Sequence, residues 1–156
     1  MSTFQIHALD AAAFAPLFDL DDAALAAMNI RRMTAASLFG YPCRVSLEDA
    51  QAGEELLLLP YQHQTAESPY RASGPIFVRR GAMTRRLAPG EVPPYITRRV
   101  MSLRAYDAQH MMVEADVADG SSVAARLEAL FERPDVAYVH LHNAKPGCYS
   151  SLVMRA

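Results

Sequence analysis

Residues 136–154 restrict the possible folds more than any other stretch. Val136–His142 and Cys148–Met154 are two short β-prone runs, separated by the turn-forming residues Asn143, Ala144, Lys145, Pro146 and Gly147. Strands joined so closely must pair antiparallel, because a parallel return needs a dozen or more connecting residues. Arg98–Tyr106 and His110–Ala118 repeat this arrangement. The second run alternates, with Met111, Val113, Ala115 and Val117 on one side and His110, Met112, Glu114 and Asp116 on the other. That pattern predicts a sheet packed on the Val113 side.

The remaining elements are shorter. Phe4–His7, Glu55–Tyr61 and Pro75–Arg80 read as strands bounded by turn residues. Ala11–Phe18 and Asp21–Met28 read as short helices whose N-caps are Asp10 and Asp21, carboxylates able to accept the free N–H groups of a first turn. Ser121–Glu132 carries Val123, Leu127, Leu130 and Phe131 at helical spacing, with Pro134 just beyond, and needs a sheet to cover. Between them Ala82–Pro94, with Pro89, Gly90, Pro93 and Pro94, reads as a mobile loop. Strands outnumber helices, so the expected fold is α+β: a mainly antiparallel sheet with a few short helices packed on one face. At 156 residues the chain is expected to form a single domain, 1–156, burying roughly 69% of its unfolded surface.

Charge excludes some partners. Fifteen basic against seventeen acidic residues give a formal charge of −2, which provides no field for nucleic acid or an anionic membrane. No apolar run approaches the roughly 18 residues needed to cross a bilayer. The two cysteines, Cys43 and Cys148, lie far apart, and the first residues lack the basic and apolar regions of a leader, so a cytoplasmic protein with reduced thiols is expected.

The terminal hairpin supplies the candidate chemistry. Alternation sends Tyr138, His140 and His142 to one face and Val139 and Leu141 to the other, and the apolar pair must face the core. A symmetric five-residue loop sets His142 opposite Cys148 and His140 opposite Ser150. His140, His142 and Cys148 are therefore the candidate catalytic residues, as acid/base groups and a thiol nucleophile. A His-x-His pair with a thiolate also has the chemistry of a Zn or Fe site, but no HExxH, CxxC or placed carboxylate completes it, and no metal ligand is assigned.

Fourteen of the fifteen basic residues are Arg, a bias that composition alone does not turn into function. Three segments set Arg beside Pro or Gly or within a strand, where backbone restraint orients a guanidinium: Arg44, Arg71 and Arg79. With Cys43, Tyr70 and Asn143 they are the candidate ligand-binding residues, suited to a carboxylate or phosphate if they converge on the histidines. The bland reading of each Arg is an ion pair with a nearby acid such as Glu48, Asp49 or Glu67. His63 follows a strand end and can join the patch, although a lone loop histidine is ordinarily solvated, as are His7 and His110.

The segments YPCRVSLEDA (41–50), GEELLLLPYQHQTAESPYRASGPIFVRR (53–80), GEVPPYITRRVMSLRAYD (90–107) and VHLHNAKPGCYSSLVMR (139–155) together resemble a bacterial family known as domain of unknown function number 1203. The resemblance implies a small stand-alone bacterial protein and places Cys43, Arg44, Tyr70, Arg71, His140, His142, Asn143 and Cys148 in recognisable motifs. The family has no established activity, so no catalytic role transfers from it. Two classes remain. One is a protein that binds a small anionic molecule in an Arg/His/Cys pocket, with or without catalysis. The other is a structural or interaction module, such as a homodimer joined through its sheet, whose same side chains are dispersed or bonded to one another, with an exposed apolar patch elsewhere.

Overall fold

The computed structural model describes residues 3–156. Ten strands form two five-stranded sheets, with few and short helices, so the chain is α+β. In chain order the strands are β1 (Phe4–His7), β2 (Arg31–Thr34), β3 (Pro42–Cys43), β4 (Glu48–Asp49), β5 (Glu55–Gln64), β6 (Ala72–Arg79), β7 (Val100–Tyr106), β8 (Met112–Asp119), β9 (Tyr138–Asn143) and β10 (Tyr149–Arg155). The helices are α1 (Asp22–Ala27), α2 (Pro94–Thr97) and α3 (Val123–Glu132). The first sheet runs β1-β10-β9-β7-β8 and is antiparallel throughout. The second runs β2-β5-β6-β3-β4, antiparallel except where Cys43 pairs with Phe77 in parallel.

Helix α3 covers one face of the first sheet. Its buried residues Val123, Leu127 and Phe131 pack with Met101, Leu103, Ala105, Val139 and Leu141, as the helical spacing requires. Full burial of a side chain such as Leu127 stabilises by about 1.5–3 kcal/mol. The helix stops at Arg133, whose extended backbone suits a residue before proline. Asp21 caps α1 by accepting from Ala24 N at 2.8 Å. Asp10 caps only a 3-10 turn over Ala11–Ala13, and a second 3-10 turn follows over Ala15–Asp19 where a single helix was expected. Pro16 lacks the N–H that an uninterrupted helix through this stretch would use.

Three expectations are corrected by pairing. Val113 packs against the core as expected, but a bulge where β7 meets β8 shifts the alternation of β8 beyond it. Glu114, Asp116 and Ala118 lie opposite the core residues Ala105, Leu103 and Met101, while Val117 on the other side is 60% exposed. The two acids are tolerated on the helix side because Arg133 and Arg126 of the helix region pair with them at its rim. Segment 82–94 is pinned rather than loose: Leu87 is buried, its carbonyl accepts from Gln5 Nε2 at 2.7 Å, and Gly90 N donates to Phe4 O at 2.9 Å.

The third correction concerns the terminal hairpin. Asn143 N donates to Cys148 O at 2.9 Å and Gly147 N to Asn143 O at 2.8 Å, so the loop holds four residues, Ala144 to Gly147, and Gly147 takes a φ of +79°. The register moves by one: His142 faces Tyr149, not Cys148. An irregularity at Ser150 then sets His140 opposite Leu152 rather than Ser150.

Candidate functional site

Register across β7 and β9 decides which side chains share the face away from α3. Ser102 lies opposite His142, Arg104 opposite His140, and Tyr106 opposite Tyr138, so all six project from one face. The end of β5, from the second sheet, comes against that face. The His63 ring lies 5.0 Å from that of His142, 6.2 Å from that of His140, and stacks on Tyr149 at 5.5 Å. Tyr149 itself belongs to the hydrophobic cluster of the second sheet, so the start of β10 plugs one sheet into the other.

A cleft of about 970 Å³ opens at this junction, and Arg44, His63, Arg104, His142, Asn143 and Cys148 are among the residues lining it. Arg44, only 1% exposed, spans the junction. Its Nε donates to Tyr149 O at 2.7 Å, Nη1 to Pro42 O, and Nη2 to Cys148 Sγ at 3.0 Å. Among the described residues neither Arg44 nor Arg104 has a carboxylate partner; Arg104 makes a single side-chain bond, to Ser102 Oγ at 3.4 Å. Arg98 and Arg99 also reach the cleft, but share the buried Asp49 carboxylate. Lys145, in the hairpin loop, adds a further cation at the rim.

The imidazoles add no charge at neutral pH. Burial drives His140 down to about 4, with His63 and Arg104 adding to the effect. Burial likewise drives His142 down to about 3, against a partial offset from the Gly147 carbonyl. His63 is lowered too, by burial and by Arg104. His142 Nδ1 lies 3.1 Å from Gly147 O, so a neutral ring donates there and leaves Nε2 as an acceptor. Nε2 is buried without a partner, as is Asn143 Oδ1. Burial also pushes the Tyr149 phenol up, so it stays un-ionised. Among the described residues no group of three or more His, Cys, Asp or Glu side chains is placed to hold a metal ion.

The expected residues therefore divide. Arg44, His142, Asn143 and Cys148 line one cleft, with His140 beside His142 at a ring separation of 6.4 Å. Arg71 is exposed and does not line the cleft, although its neighbour Ala72 does. Arg79 lies two residues, about 7 Å of strand, beyond the cleft residue Phe77 and pairs with Glu54 at 3.1 Å. Tyr70 packs edge-on against Tyr106 at 5.7 Å. Cys43 is fully buried, its Sγ accepting from Arg79 N and Ser46 N, and serves as core. Phe77 is half-buried and forms part of the cleft wall. His110 Nδ1 meets the Tyr138 hydroxyl at 2.8 Å, outside the cleft.

Arg104 is the residue that sequence reasoning missed, and His63 was undervalued. Arg104 sits in a predicted strand with the parity of Ser102 and Tyr106, but only the β7–β9 register shows that this face is the histidine face. Fold and cleft together define the class: a small α+β protein whose arginine-rich cleft lies where two antiparallel sheets meet. The chain belongs to the family described as protein of unknown function (DUF1203), which matches residues 40–155 and so includes every cleft residue discussed above. No curated protein and no solved structure matches it. No helix among the described residues is long and apolar enough to cross a membrane.

Proposed function

We propose that the cleft binds a small anionic molecule through a carboxylate or phosphate group. The observation that carries this reading is the pair of guanidiniums, Arg44 and Arg104, that line the cleft without a carboxylate partner among the described residues. Arg104, whose one side-chain bond among the described residues is the long contact to Ser102, keeps most of its donors free for an anion, and Arg44, its own donors already engaged, adds a buried positive charge to the same cleft. The neutral histidines of the cleft, His63 and His142, fit the same reading, because they do not neutralise the ligand and His142 keeps Nε2 as an acceptor for a ligand N–H or O–H. An interaction module without pocket chemistry has no need to gather Arg44, Arg104, His142 and Asn143 around one opening.

Thermal unfolding with added inorganic phosphate, sulfate or succinate tests the proposal. An anion at a hundredfold excess over its Kd adds about 2.7 kcal/mol of stability. That raises Tm by about 5–10 °C for a chain of this size. Arg104→Gln, with the circular dichroism of the parent, is expected to abolish the rise. Absence of any rise with all three anions at high millimolar concentration refutes the reading.

A further inference from the structure

The cleft carries a second device besides its cations. We propose that Cys148 is a nucleophile that bonds covalently to small electrophiles bearing an anionic group; this rests on the anion-binding reading and adds a reaction to it. The two cysteines occupy opposite environments. Cys43 is sealed in the core with backbone N–H donors on its sulfur, whereas Cys148 is half-buried and opens on the cleft. Arg44 Nη2 donates to Cys148 Sγ at 3.0 Å and Asn143 Nδ2 reaches it at 3.6 Å. Two N–H donors, one of them cationic, are aimed at the sulfur and complement the negative charge of a thiolate, the form of a cysteine that attacks; that charge passes to the electrophile as the bond forms.

An independent observation marks the same place as a ligand site. His142 is 1% exposed and Asn143 3% exposed, both line the cleft, and each holds a buried acceptor, Nε2 and Oδ1, that no protein group satisfies. Buried acceptors are ordinarily paired, and a bound molecule with its own N–H or O–H groups would pair them. The neighbouring guanidiniums select an electrophile with a carboxylate or phosphate.

The simplest step is addition to a carbonyl. Sulfur attacks the carbonyl carbon, the S–C bond forms, the C–O π pair moves to oxygen, and the thiol proton ends on that oxygen. Atoms and electrons balance without an oxidant, reductant or second reactant. Arg104, which lines the same cleft, would hold the anionic end of the electrophile.

Paired alkylation of the native protein with iodoacetate and iodoacetamide, read by mass spectrometry at each cysteine, tests this. In water charge repulsion makes a thiolate slower with the anionic reagent than with the neutral one. An anion-concentrating cleft is expected to reverse that order at Cys148 by about tenfold. Cys43 is expected to stay unlabelled, Cys148→Ser to remove labelling of the folded protein, and Arg104→Gln to return the ratio of the two rates to that of a cysteine peptide. A peptide-like ratio in the parent protein, or no labelling at Cys148, overturns the proposal. Phosphate-induced stabilisation measured on the same preparation separates the readings: if it persists, only the nucleophile falls, and if it is absent too, both fall.

Discussion

Arg44→Met is the perturbation whose outcome the structure sets most directly. Methionine keeps the length and apolar stem of the side chain but removes the guanidinium, which joins Pro42 and Tyr149 carbonyls and the Cys148 sulfur across the junction of the sheets. The Arg44 backbone is held independently, by Arg44 N to Phe77 O at 3.1 Å and Leu9 N to Arg44 O at 3.0 Å, so the change acts on the side chain alone. Two buried carbonyls lose their charged donor, at about 1–3 kcal/mol each. Opposing this, the variant no longer desolvates a cation without a counter-charge, a relief of several kcal/mol in the extreme. Three donors directed at three acceptors have already met most of that solvation demand, so lost bonding is expected to win, by about 3 kcal/mol. For a chain of this size that is a fall in Tm of about 6–12 °C, checked by thermal and urea unfolding followed by circular dichroism. In phosphate the parent alone gains ligand stabilisation, so the gap widens. A variant as stable as the parent, with or without phosphate, refutes both the bonding argument and the anion argument at this residue.

Acid sensitivity follows from the histidines. Folding lowers His140 to about 4 and His142 to about 3, so below about pH 6.5 the unfolded chain binds the extra protons and stability falls with pH. At pH 5 the loss is about 2 kcal/mol per histidine relative to pH 8, and the urea midpoint of His142→Asn should depend less on pH; an equal midpoint at pH 8 and pH 5 in the parent counts against it. Gly120→Ala tests how α2 is seated: an added Cβ runs into Ile96 O and lies 2.6 Å from Arg99 O, so a cost of about 1–3 kcal/mol is expected in thermal unfolding, with displacement of Arg98 and Arg99 at the rim.

Much of the local structure was readable from residue order. Period-two alternation put Val139 and Leu141 in the core and His140 and His142 on the opposite face, and both assignments hold wherever β9 is placed. Helical spacing identified the face that α3 buries, and Asp21 marked the start of α1. Failures came where one strand's environment depends on another. The bulge opposite Ala105 turned the alternation of β8 over, and the four-residue loop took Cys148 out of register with His142. β2, β3 and β4 are only two to four residues long and carry too little periodicity to declare themselves.

Side-chain order along the chain thus dictates which residues leave a strand together, because backbone geometry repeats every two residues or every 3.6 whatever surrounds it. Which faces meet is another matter. The division into two sheets, the arrival of His63 beside His142, the choice of Arg104 over Arg71 and Arg79, and the contact between Arg44 and Cys148 all join residues that lie tens of positions apart. Pairings of that range are selected by the summed burial and hydrogen bonding of the whole chain, a quantity that no local window contains.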